Sequence, residues 1–140
     1  MPLHLLLYAA DSTDRVGFYL LPSVLDPGAA ADDDVLVLGP FQGRPACLSV
    51  SLSRSPTRTP GVCARAFLER QSQLIKNVDD TAGHIACDAA TRSELVVPLT
   101  LNGHVVGVLD LDCERLEGFD EQDREGVEHF VTQIERILSG

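Results

Sequence analysis

Apolar and polar positions along this chain alternate between two periods, and the switches mark its elements. Val16 to Leu21 (VGFYLL) and Val35 to Phe41 (VLVLGPF) are nearly continuous apolar runs, the pattern of buried strands. Pro22 ends the first, and Gly39 and Pro40 bend the second or place it at an edge. The Gly, Ala and Asp stretch from Asp26 to Asp34 is a polar connection. Cys47 to Leu52 (CLSVSL) alternates strictly, with Leu48, Val50 and Leu52 on one side and Cys47, Ser49 and Ser51 on the other. Ser53 to Pro60 (SRSPTRTP) is a loop by composition. Beyond Gly61 the spacing of Val62, Ala66 and Phe67 becomes helical, which puts Cys63 in a first turn, where the macrodipole favours a thiolate.

Gln73 to Val78 is a weak strand, and Asp79 to Arg92 is a polar loop carrying His84, Cys87 and Asp88. Glu94 to Thr100 and His104 to Asp112 flank Asn102-Gly103, a strong β-hairpin signal. Val127, Phe130, Val131, Ile134, Ile137 and Leu138 form one stripe of a long helix that Phe119 and Asp120 introduce. This order predicts a single α+β domain over residues 1–140, with a central, mostly antiparallel sheet of five to six strands and N- and C-terminal helices on one face.

Charge narrows the partners. A net charge of −10 with Lys76 as the sole lysine argues against nucleic acid and against an anionic membrane surface. The opening MPLHLLLYAAD has no basic region and too few apolar residues to span a bilayer, so a soluble, cytoplasmic protein is expected. In such a compartment Cys47, Cys63, Cys87 and Cys113 are structural thiols, metal ligands or redox catalysts. No pair has CxxC spacing and His4, His84, His104 and His129 form no ligand pattern, so no metal site is expected.

Chemistry concentrates in two places. Asp110 and Asp112 lie on one face of the apolar run GVLDLD, where burial of an ion is costly. Counted symmetrically outward from Asn102-Gly103, Glu94 falls opposite Leu111 and is flanked by both aspartates. The three acids are either a solvated strand end or a cation seat, and without a loop to supply further oxygens an ammonium suits the seat better than Ca²⁺ or Mg²⁺. Cys87, in AGHIACDAA, is either a packed small hydrophobe or a nucleophile. Two further cysteines at element starts favour the second reading, because an oxidised thiolate needs a partner thiol. His84 and Asp88 are at best supporting residues.

The segments VGFYLL, LVLGPFQGRPAC, GVC, GHIACDAATRSELVVPL and GVLDLD together resemble the free methionine-(R)-sulfoxide reductases, enzymes built on a GAF domain. The resemblance implies that Cys87 is the nucleophile, that Cys47 forms a disulfide with it, and that Cys63 is an auxiliary thiol. It also implies that Glu94, Asp110 and Asp112 contact the substrate. Thiolate attack on the sulfoxide sulfur, with Glu94 or Asp112 as proton donor, would leave a sulfenic acid that Cys47 resolves. The implied partners are free methionine-(R)-sulfoxide and a thioredoxin-type reductant fed by NADPH. No bound cofactor is expected, and a homodimer is. Cys113 matches no cysteine of that family.

The chain departs from the pattern at Arg15, where the family carries a Trp that walls the substrate methyl, in the longer 53–60 loop, and in a shortened N-terminal helical part. A guanidinium near three carboxylates is expected to compete with the substrate ammonium and to lower the pKa of one acid, removing the proton donor; Tyr19 is the alternative wall. The rival readings are a non-catalytic GAF binding module and a thiol redox sensor.

Overall fold

The computed structural model describes residues 13–29, 32–44, 47–52, 59–81 and 90–140. Its strands are β1 (Thr13–Leu20), β2 (Val35–Gly43), β3 (Ser49–Ser51), β4 (Gln73–Ile75), β5 (Ser93–Leu101) and β6 (His104–Cys113). They form one six-stranded sheet in the order β3-β2-β1-β6-β5-β4, with every neighbouring pair antiparallel. The helices are a single turn α1 (Pro22–Leu25), then α2 (Val62–Glu69) and α3 (Glu121–Ser139).

Local chemistry accounts for most of these boundaries. Asn102 (φ 52°) and Gly103 (φ 81°) both adopt the left-handed conformation that a tight two-residue hairpin turn requires. Asp120 caps α3: its carboxylate accepts from the Asp123 backbone N–H at 2.9 Å, and the Asp123 carboxylate accepts from the Asp120 N–H at 2.9 Å. Arg70 closes α2 in the left-handed conformation, donating its N–H to the Ala66 carbonyl. Pro22 does not merely end β1; it opens α1, where its missing N–H costs nothing.

The C-terminal helix α3 covers one face of the sheet, and α2, from mid-chain, covers the opposite face. Under α3 lies an apolar core of Val16, Leu95, Val97, Leu109, Leu111 and Val131. Under α2, Tyr19, Val96 and Val108 pack with Val62, Cys63 and Ala66. Alternation along β5 and β6 supplies both layers from the same strands. The segment at Cys47 also shrinks to a three-residue edge strand, which leaves Leu48 80% exposed rather than aligned with buried Leu52. The expected N-terminal helical part and most of the 53–60 loop lie outside the described residues.

Candidate active site

The register of the β5–β6 hairpin decides which acids meet. Leu101 pairs with His104 and Thr100 with Val105, as a two-residue turn dictates, but Leu99 pairs with Gly107. Val106 is therefore a bulged extra residue, and every pair beyond it is displaced by one. Glu94 consequently stands opposite Asp112, not Leu111 as symmetric counting gives. Directly opposed residues of an antiparallel pair share a face, so the bulge brings Glu94, Asp110 and Asp112 to one side; the symmetric register would have sent Glu94 to the other. The signal for the bulge was the isolated Gly107 inside a strand. A Cβ there would sit 2.4 Å from the Tyr19 carbonyl oxygen.

The neighbouring strand adds a cation. Arg15 pairs with Asp112 and Gly17 with Asp110 across β1 and β6. The Arg15 guanidinium, 4% exposed, donates from Nη2 to Asp110 Oδ2 at 2.6 Å and from Nε to Asp112 Oδ2 at 2.8 Å, with a further short contact from Nη2 to Asp112. Its Nη1 donates to the Tyr19 hydroxyl at 3.1 Å, and that hydroxyl donates to the Cys47 backbone carbonyl at 2.9 Å. An arginine in a strand reads as a surface residue. Here it is buried because two carboxylates and a phenol oxygen replace its water.

Burial dominates the electrostatics. Glu94 is 5% exposed, and its pKa is pushed up to about 8, first by burial and then by the Asp112 charge. Asp112 is likewise raised to about 8 by burial and by Asp110, with Arg15 pulling the other way. Asp110, 1% exposed, is shifted well up by burial and by Glu94. For Arg15, burial opposes the charge, but Asp110 and Asp112 outweigh it and hold the guanidinium charged above its usual range. Burial raises Tyr19 to about 12, so it stays a phenol. Arg15 pairs with two of the acids and pulls their pKa values down, as expected, but desolvation outweighs the guanidinium, so Glu94 and Asp112 remain raised and a proton stays in the cluster at neutral pH.

The cysteines separate. Cys63 sits at the α2 N-terminus against this cluster, its Sγ grouped with carboxylate oxygens of Glu94 and Asp110, all within 4.8 Å of one another. Its thiol pKa is raised well above the usual value by burial, then by Asp110, Glu94 and Asp112, which corrects the expectation of a favoured thiolate. An eight-residue helix contributes about half a positive charge, and three carboxylates with burial exceed it. Cys63 and Cys113 carry free thiols, whereas Cys47 is disulfide-bonded. Cys113 faces the opposite core under α3. Cys87, His84 and Asp88 lie outside the described residues. A cleft of about 780 Å³ between α3 and the β4–β5 edge contains none of these side chains.

The fold has counterparts. The family model of the GAF domain matches residues 4–139. The chain is 42% identical to the free methionine-R-sulfoxide reductase of Escherichia coli, over 88% of this chain and 65% of that protein. With the enzyme of that name from Saccharomyces cerevisiae it shares 40% identity over 76% of this chain and 57% of the relative. It therefore spans under two thirds of the length of both. The X-ray structure of free methionine-R-sulfoxide reductase from Neisseria meningitidis in complex with its substrate superimposes with a TM-score of 0.80 at 36% identity, covering 96% of this chain and 71% of that one.

Proposed function

Because this chain belongs to the GAF domain family, and its nearest chemistry is a proton-holding acid cluster beside a cysteine, we propose that it reduces free methionine-(R)-sulfoxide to methionine. The observation that carries this reading is the convergence of Glu94, Asp110 and Asp112 on one buried face, in a chain 42% identical to a reductase of that specificity.

In this reading the Cys87 thiolate attacks the sulfoxide sulfur. One of Glu94 and Asp112, whose raised pKa keeps a proton on the cluster at neutral pH, gives that proton to the departing oxygen. Methionine leaves and Cys87 becomes a sulfenic acid. The Cys47 thiol then condenses with it, releasing water and forming the disulfide that a thioredoxin-type dithiol reopens. Cys63, held as a neutral thiol, is an auxiliary group and not the attacking one. The seat for the substrate ammonium is the carboxylate cluster, and this explains a preference for the free amino acid, since a peptide-bound methionine has no ammonium to offer. Arg15 already occupies part of that seat, so the substrate has to compete with it. Tyr19, whose ring lies 5.9 Å from the Arg15 guanidinium, supplies an apolar wall beside it.

The test is a thioredoxin-coupled NADPH assay with free methionine-(R)-sulfoxide, its S epimer and the N-acetylated R form. Turnover of the first alone supports the reading; no turnover of any sinks it in favour of a binding module, the alternative that the Arg15 pairing supports. Within an active enzyme, Cys87→Ser abolishes turnover, and Cys47→Ser stalls after about one turnover with a sulfenic acid that dimedone traps. Sustained cycling of Cys47→Ser would pass the resolving role to Cys63.

A further inference from the structure

The reductase reading leaves Cys63 with little to do, yet its surroundings are unusual. The thiol is 9% exposed and its Sγ lies within 4.8 Å of carboxylate oxygens of both Glu94 and Asp110. Asp110 is 1% exposed and gives Oδ2 to Arg15, while its other oxygen, Oδ1, has no hydrogen-bond partner. A buried carboxylate oxygen without a donor is costly, and it calls for a ligand that can approach it. One soft donor and two hard ones, converging from α2, β5 and β6, form a ligand set.

We propose that Cys63 Sγ, Glu94 and Asp110 Oδ1 form a binding site for a borderline-soft divalent cation, for which Zn²⁺ is the probe. Ca²⁺ and Mg²⁺ take six or more oxygens and gain nothing from sulfur, whereas Zn²⁺ accepts mixed sulfur and oxygen ligands in four-coordinate geometry. Three protein ligands leave a fourth position for water. Binding is a proton exchange: the Cys63 S–H bond breaks, any carboxyl proton that burial keeps on Glu94 or Asp110 is released as well, these protons go to solvent, and the sulfur and oxygen pairs are shared with the metal, with no change of oxidation state. Arg15 remains on Asp110 Oδ2, so Asp110 bridges guanidinium and metal. A bound ion occupies the face that the reductase reading gives to substrate, so it would inhibit turnover; this last clause alone rests on that reading.

The experiment is a Co²⁺ titration of the reduced Cys47→Ser/Cys87→Ser chain, whose remaining thiols are Cys63 and Cys113. The expected result is a thiolate-to-cobalt charge-transfer band that saturates at one equivalent and is abolished by Zn²⁺. Adding Cys63→Ser removes the band, Asp110→Asn and Glu94→Gln each weaken binding at least tenfold, and Cys113→Ser changes nothing. A folded chain with no band, or a band that survives Cys63→Ser, overturns the site. If the band behaves as expected while the wild-type chain turns over no sulfoxide, the metal site stands and the reductase reading falls. If turnover is present and no band forms, the reverse holds.

Discussion

The two faces of the sheet are built from the same strands and have opposite characters. Along β6, Leu109 and Leu111 point to α3 while Asp110 and Asp112 point toward α2. The α3 face is a dry layer of aliphatic side chains whose burial stabilises at roughly 25 cal/mol per Å². The α2 face carries Arg15, Glu94, Asp110 and Asp112 at 5% exposure or less, four charge-bearing groups whose desolvation is unfavourable. A single residue of register separates stability from chemistry, and one apolar layer has to offset what the other costs.

That contrast can be broken most heavily from the α3 side. Leu109→Ala removes a fully buried side chain and is expected to lower unfolding free energy by about 2–5 kcal/mol in urea titrations. Substitution on the α2 side should act in the opposite direction. Glu94 has a folded pKa of about 8 against 4.5 ordinarily, so the folded state binds the extra proton between those values and stability falls as pH rises through that window. Glu94→Gln therefore stabilises the chain by on the order of 1–3 kcal/mol at pH 9 and leaves it unchanged near pH 4, as thermal melts at the two pH values will read. A pH-independent effect, or destabilisation at pH 9, contradicts the desolvated cluster.

The third effect is on ligand binding. Arg15→Trp removes the competing guanidinium and restores an apolar wall, an area worth about 1–2 kcal/mol, so KM for free methionine-(R)-sulfoxide should fall roughly tenfold. Because the cluster keeps a proton in the presence of Arg15, kcat should change little, and a large rise in kcat would show that the guanidinium does remove the proton donor. The smallest effect lies outside both layers: Ile137, 77% exposed on α3, should tolerate Gln within about 0.5 kcal/mol.

Much of this architecture was legible in the chain. The Asn102-Gly103 turn, the stripe of α3 and the start of α2 each depend on neighbours in sequence, and each was readable from local pattern. The site was half legible. Its three acids stood out as charges in apolar strands, but their true register depends on the bulge at Val106, which no hydrophobic pattern encodes. Arg15 stands out in the sequence as a departure from a family pattern, yet its burial depends on Asp110 and Asp112, some 95 residues away in sequence. For Cys63 the macrodipole is visible locally, whereas the opposing carboxylates arrive only on folding. The same blindness hid the grouping of Cys63 with Glu94 and Asp110, since metal-ligand spacing is a rule about sequence neighbours.

The Tyr19 hydroxyl has two obligations, accepting from Arg15 and donating to the carbonyl of Cys47. Seen as a linkage, it ties the acid cluster to the backbone at Cys47. A ligand that draws Arg15 away from Asp110 and Asp112 takes one of the two anchors from a buried phenol, and the backbone at Cys47 is the other. The acids and the backbone at Cys47 thus belong to one hydrogen-bond chain, which runs through Arg15 and a single phenol.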